Sequence, residues 1–182
     1  MSETANERTA RYYVSFLRTL RAVRSFRPDP VPQEVLDDIL EVARWSGSAS
    51  NKQPWEILVV RKRDTLRSLA SVEGYAGHLA RAPLGIVLVM AGERAEQETY
   101  DEGRLAERIM LAAHAHGVGS SIGWIVGPGR DAARELLGIP QEKVVRTAIS
   151  LGYPEEGARR TRAGYGPARK PLDEIVHQER YG

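Results

Sequence analysis

The sequence contains no cysteine. This absence excludes disulfide bonds, thiolate-bound metals, iron–sulfur clusters and a cysteine nucleophile. It agrees with a reducing compartment, and we expect a cytoplasmic protein. The first ten residues are polar and lack the apolar core of a secretory signal, so we expect no export signal.

Long apolar segments are also missing. The longest apolar run, Leu84–Ala91, is far shorter than the roughly 20 residues that cross a bilayer, so we expect no membrane span. The chain also lacks a large net charge of either sign, because its 26 Lys and Arg residues nearly balance its 24 Asp and Glu residues. The arginines cluster at Arg18–Arg27 and Arg159–Lys170, without a continuous basic stripe that is interleaved with aromatics. This pattern favours a discrete anion site over a nucleic-acid surface.

The length and composition predict one folded domain. The 182 residues are 42% hydrophobic and 27% charged, as in ordinary globular proteins. Helical and strand patterns alternate along the chain, and the helical ones outweigh the strands. We therefore predict a single domain over residues 1–182, of the α+β or α/β class, around one sheet.

Apolar spacing and capping signals predict five helices. Thr4 and Glu7 have the spacing of a capping box, which starts a helix that runs to about Leu20. Asp64 is expected to cap a short helix through Ala70, while Gly117 and Gly138 are expected to end two later helices. The remaining helices are predicted after Pro32, over Tyr100–His116 and over Asp131–Leu137.

Four segments are predicted to form strands. Glu56–Val60 is β-branched, and the all-apolar Leu84–Ala91 is the best candidate for a central strand. Gly119–Ile125 is a strand or turn that is interrupted by glycine. In the last strand, Val144–Leu151, alternation predicts that four side chains share one face: Val145, Thr147, Ile149 and Leu151.

Several kinds of chemistry lack their motifs. There is no G-x-S-x-G nucleophile turn, and neither the phosphate-binding loop nor the dinucleotide fingerprint is present. His114 and His116 are two residues apart, so they point away from each other on a helix and do not form a metal pair. We expect neither a hydrolase nor a metal site.

Five short motifs remain, and they occur in a fixed order. They are Arg21-Ala22-Val23-Arg24, the polar loop Ser46–Gln53 with Pro54-Trp55 after it, Gly117-Val118-Gly119-Ser120, Gly152-Tyr153-Pro154 and Arg169-Lys170-Pro171-Leu172. In this order and spacing the chain resembles the nitroreductase family of flavin-dependent oxidoreductases, and among them the compact members with an R-A-V-R opening. The resemblance implies an α+β fold with a central mixed, mostly antiparallel sheet flanked by helices.

The resemblance also implies a site for FMN. The opening motif, with Ala22 and Val23 between its arginines, is expected to meet the phosphate through Arg21 and Arg24, together with Arg169 and Lys170. Contacts to the ribityl chain and the pyrimidine edge are expected from five residues of the polar loop: Ser48, Ala49, Ser50, Asn51 and Gln53. The N5 edge is expected to meet Ile122, Gly123 and Trp124.

By resemblance, the activity is hydride transfer from NADH or NADPH through FMN to a nitroaromatic, a quinone or a similar conjugated acceptor, by alternating half-reactions. The family places its flavin at a homodimer interface, and the tail from about Glu155 to Gly182 is expected to reach over the partner. Two alternatives stay open. One is a specialised member that fragments flavin or removes halogen reductively, and the other is a flavin carrier or sensor with little turnover.

Overall fold

The computed structural model describes residues 4–157 and 169–181. Within them lie five helices: α1 (Ala5–Thr19), α2 (Gln33–Arg44), α3 (Arg63–Ser71), α4 (Ala95–Ala115) and α5 (Gly129–Leu137). The strands of the same residues are β1 (Trp55–Val60), β2 (Leu84–Met90), β3 (Gly119–Trp124) and β4 (Val144–Gly152). Short 3₁₀ turns cover Ala49–Asn51, Gly77–Arg81 and Leu172–Glu174.

The strands form one sheet in the order β1-β2-β4-β3. All three pairings are antiparallel, so the predicted mixed sheet is antiparallel throughout its four strands. Among the described residues the parallel element is a single bridge between Ala22, which belongs to no strand, and Ser120 of β3. Every residue of β2 is buried, which explains its uninterrupted apolar run: the strand is central and covered on both faces.

The sheet separates two cores. On one face α2 and α4 pack against the strands, and the fully buried side chains there include Ile39, Leu105, Ile109, Ile86 and Ile149. On the other face lie α3 and α5, with Leu66, Leu69, Ala133, Val87 and Ala148. Helices on both faces of an antiparallel sheet confirm the α+β class.

A register shift interrupts β4. Leu88 pairs with Thr147 and Val89 pairs with Val145, so Arg146 is the extra residue of a β-bulge. The bulge reverses the alternation, and Val145 joins the core beside α3 and α5 while Ile149 faces α2 and α4. The prediction that these two residues share a face is therefore wrong.

The helix boundaries follow local signals in most places. The capping box of Thr4 and Glu7 is present in full, and α1 ends at Thr19. Gly117 and Gly138 adopt φ of 71° and 66° after α4 and α5, as expected of helix-ending glycines. Asp64 does not cap α3, because the helix begins at Arg63 with Lys62 as its N-cap and Asp64 lies in the first turn.

The first helix lies apart from both cores. None of its residues is buried, and Tyr12, Tyr13, Val14 and Leu17 are each more than half exposed. It is attached to α4 near its end, where Phe16 stacks on His114 with 5.0 Å between ring centroids. No helix within the described ranges is long and apolar enough to cross a membrane.

The predicted tail is described in part. Residues 158–168, which include most of the second arginine cluster, lie outside the described residues. Leu172, Ile175 and Val176 are exposed, with fractions of 73%, 55% and 49%. Within the described residues, three apolar side chains of the C-terminal segment are therefore exposed.

Candidate functional site

The opening motif runs beside β3. The N–H of Val23 donates to the carbonyl of Ser120 at 2.8 Å, and Phe26 bridges to Pro154 further along. Val23 and Phe26 are buried and anchor the segment, while Arg21, Ala22 and Arg24 are exposed. Two apolar anchors thus place two arginines on the surface at the edge of the sheet.

Arg21 and Arg169 line the same cavity. This cavity has a volume of about 790 Å³, lies between α1 and α4, and is also lined by Arg11, Arg18 and Glu107. Arg21 donates through one guanidinium nitrogen to the carbonyls of Arg18 and Leu20, both at 2.7 Å, so it also caps the end of α1. The structure therefore brings Arg21 of the opening motif and Arg169 of the C-terminal basic pair together, in a strongly cationic recess.

Arg24 lies outside that cavity. Within residues 4–157 and 169–181 it forms no hydrogen bond and no salt bridge, although its charge acts on His78. Lys170 is exposed beside Arg169 and does not line the cavity. Arg24, with no hydrogen bond or salt bridge among the described residues, is available to an anionic ligand at this edge of the sheet.

His78 connects this edge to the interior. Its Nδ1 lies 2.7 Å from the Ser150 Oγ, and its Nε2 lies 3.3 Å from the Ile122 carbonyl oxygen. The Ile122 carbonyl can only accept, whereas the Ser150 hydroxyl can donate or accept and also lies 3.4 Å from the Ser121 carbonyl oxygen. Burial lowers the pKa of His78 below 6.5, and the Arg24 charge lowers it further against the opposing effect of the Ile122 carbonyl. The ring is neutral near pH 7, and sequence patterns alone gave no signal for this position.

The three residues predicted near N5 lie on the edge strand β3. Ile122 and Trp124 are 39% and 38% exposed, and the Arg130 guanidinium lies over the Trp124 ring at 5.9 Å from its centroid. Gly123 is enclosed, because a Cβ there would lie 2.8 Å from the Cα of Ala76. The strand thus presents a partly apolar, solvent-facing surface beside the arginines.

The polar loop has an unusual backbone. Ser50, Asn51 and Gln53 have φ of 53°, 53° and 50°, which is the left-handed region that side chains with a Cβ rarely adopt. The N–H of Gln53 donates to the Ser48 Oγ at 2.8 Å, and this bond closes the loop on itself. The side chains of Ser50, Asn51 and Gln53 are exposed. Strained backbone of this kind concentrates at functional sites.

One chain does not bring all the predicted residues together. The polar loop leads into β1, which is one edge of the sheet, whereas the opening motif and the N5 residues lie at β3, the other edge. The loop borders a second cavity of about 420 Å³, with Lys52, Gln53 and Trp55 against the start of α4. This cavity and the cationic recess share no lining residue.

Metal chemistry has no apparent centre in the described part of the chain. No group of three or more His, Cys, Asp or Glu side chains there could hold a metal ion. His114 contacts Thr19 and Phe16, and His116 lies 3.1 Å from Asp38. Each of these two histidines has its own separate partners.

Comparison with known proteins gives a consistent result. The family model of the nitroreductase family matches residues 17–73 and 68–153. An NADH dehydrogenase of Thermus thermophilus is 30% identical over an alignment of 193 positions, gaps included, and the alignment covers 86% of this chain and 90% of that protein.

Solved structures agree in fold. An FMN-dependent nitroreductase from Clostridium difficile superimposes with a TM-score of 0.78 at 27% identity, covering 92% of this chain and 99% of that chain. The FMN-dependent nitroreductase NfnB from Mycobacterium smegmatis, solved in complex with NADPH, superimposes with a TM-score of 0.80 at 25% identity. The superposition covers 94% of this chain and 100% of that chain. The matched segments include the opening motif, the polar loop and β3 in one continuous order. The chain belongs to the nitroreductase family.

Proposed function

We propose that the protein is an FMN-dependent oxidoreductase that takes hydride from NADH or NADPH and reduces a nitroaromatic, a quinone or a similar conjugated acceptor. The family membership and the activities for which its relatives are named support this proposal. The observation that carries it is the edge of β3, where Arg24, which forms no hydrogen bond or salt bridge in the part of the chain that the structure describes, lies beside a partly apolar strand. That combination suits a ligand with a charged phosphate and a flat ring.

The cationic residues fit the phosphate group. FMN carries a dianionic phosphate, and guanidinium groups bind phosphate oxygens with two parallel hydrogen bonds. Arg24 lacks a competing partner in the described residues, and Arg21 and Arg169 meet in one recess. We assign these three residues, with Lys170, to the phosphate.

The polar loop fits the rest of the cofactor. Its exposed hydroxyl and amide side chains, on Ser50, Asn51 and Gln53, can donate to and accept from ribityl hydroxyls and pyrimidine carbonyls. The backbone of Ile122–Trp124 is assigned to the N5 edge. Bound FMN would supply the acceptance of hydride from the nicotinamide and its delivery to the second substrate.

The two parts of the site lie at opposite edges of one sheet, so we propose that two copies of the chain combine to form each pocket. The loop of one copy would complete the arginine edge of the other. Apolar residues that this chain leaves exposed, on α1 and in the C-terminal segment, supply surface for that contact. Leu17 and Leu172 are examples, at 56% and 73% exposure.

The test is spectroscopic and kinetic. The purified protein should be yellow, elute at twice the chain mass, and lose its flavin absorbance when NADH or NADPH is added without oxygen. Initial rates with a quinone or nitroaromatic should give parallel double-reciprocal lines, as expected when the two substrates alternate. A chain without flavin would refute the proposal. Bound flavin that NAD(P)H does not reduce would indicate a carrier or sensor, and reduction without turnover of these acceptors would point to a specialised reaction.

A further inference from the structure

The strained polar loop requires an external support. Three residues other than glycine adopt the left-handed region here, so the loop keeps this backbone only where neighbouring groups favour it. The loop's own hydrogen bonds, such as Gln53 N–H to Ser48 Oγ, link loop residues to each other but not to the body of the protein. At its start the loop is tied to α2, where the Ser46 N–H donates to the Ala43 carbonyl at 2.9 Å. The contacts at Gly47 and Ala49, next to the strained residues, come from α4.

Asp101 makes the first of these contacts. Its carboxylate is 6% exposed and belongs to the second turn of α4, and its Oδ2 accepts the N–H of Ala49 at 3.2 Å. The other oxygen, Oδ1, lies 3.5 Å from a guanidinium nitrogen of Arg104. A buried carboxylate within a helix is costly unless it is bonded, and the partners here are one loop amide and one half-exposed arginine.

Arg104 makes the second contact, one helical turn further along. Its guanidinium lies directly over Gly47, where an added Cβ would overlap it. Asp101 and Arg104 therefore contact the loop at Ala49 and Gly47, just before the strained residues begin. Glycine at 47 makes room for the arginine.

We infer that Asp101 is a positioning residue that keeps the polar loop in its flavin-binding conformation. This inference rests on the proposed function, and it adds a residue whose polar partners within the described ranges are the loop backbone at Ala49 and the side chain of Arg104. If the loop is released, only a fraction of molecules has the binding conformation, and the apparent affinity falls by that fraction. The loss should affect every ligand that uses the loop, with or without a phosphate.

The experiment compares FMN with riboflavin, which lacks the phosphate, by fluorescence titration of the apoprotein. Asp101→Ala should lower the affinity for both ligands by the same factor, about tenfold or more, because it removes a hydrogen bond to a charged group. Asp101→Asn keeps an acceptor oxygen for Ala49 and should restore both affinities to within about threefold of the parent. Glu96→Ala removes an exposed carboxylate from the same helix and is the matched control.

Each result has a distinct meaning. If the parent binds no flavin, the proposed function fails. If the parent binds flavin and Asp101→Ala binds it equally well, or weakens FMN alone, the inference about Asp101 is overturned. Should Asp101→Ala fail to fold, Arg104→Ala provides the test, since that side chain is 55% exposed. It should weaken FMN and riboflavin equally, by about twofold to fivefold, and unchanged affinity for both would also overturn the inference.

Discussion

Replacing Glu98 by glutamine should destabilise the protein at neutral pH. The Glu98 carboxylate is 2% exposed and accepts three backbone N–H groups, from Gly92 at 2.8 Å, Glu93 at 2.9 Å and Arg94 at 3.0 Å. It therefore fixes the turn that leads into α4. A glutamine amide has one acceptor oxygen, so at least one of these N–H groups would face an NH₂ donor instead.

The expected loss is about 2 kcal/mol, the contribution of one hydrogen bond to a charged group. For a chain of this length that corresponds to a fall in Tm of about 4–8 °C. The measurement is urea unfolding of the apoprotein at fixed concentration. Glu96→Gln, an exposed neighbour in the first turn of α4, should stay within about 0.5 kcal/mol of the parent.

The same substitution makes a signed prediction about pH. Burial raises the pKa of Glu98, but the three backbone donors and the charge of Arg146 outweigh it, so the pKa lies below 4.5. A carboxyl with a lowered folded pKa contributes stability above 4.5 and loses that contribution as the pH falls through the folded value. The free energy of unfolding of the parent should therefore exceed that of Glu98→Gln by the largest amount at about pH 7. This difference in free energy should become smaller below pH 4.5. A difference that is constant over this range, or absent at neutral pH, would refute the reasoning.

Two further predictions concern charges with different environments. Arg24→Ala should weaken FMN binding by about 10- to 150-fold and leave the affinity for riboflavin unchanged, because a charge-assisted phosphate contact contributes about 1.5–3 kcal/mol. Arg67→Ala on α3 is the control. Equal FMN affinity in the two variants would disprove the phosphate assignment. Glu102 pairs with Arg146 at 2.7 Å in the core, and Glu102→Leu should cost about 3–5 kcal/mol in urea unfolding because it leaves a buried charge unpaired. The double variant with Arg146→Met should be more stable than Glu102→Leu, and additive losses would contradict this account.

Local signals in the sequence were sufficient to predict much of the fold. The capping box at Thr4 and the helix-ending glycines Gly117 and Gly138 act within a few residues, so their patterns are visible without tertiary structure. The start of α4 was missed by five residues, since its first turn is polar. The buried Glu98 there is explained by the turn before it, not by helical periodicity.

The parts that the sequence did not predict depend on contacts between distant residues. The bulge at Arg146 depends on the register between β2 and β4, and no alternation pattern encodes it. Asp101 and His78 have partners 52 and 72 residues away, so neither belongs to a local motif. The candidate flavin residues came from the family resemblance, and the structure adds that they lie at two edges of the sheet.

The exposure of α1 links local order to assembly. An isolated helix of 15 residues is only marginally stable in water. The free-energy cost of forming its first turn is barely offset by the hydrogen bonds of the few turns that follow. Because none of its residues is buried, α1 receives little stabilisation from packing against the rest of its own chain. If a second copy covers its apolar face, mass action couples the helix–coil equilibrium of α1 to protein concentration. Dilution would then unwind this helix before it affects the sheet.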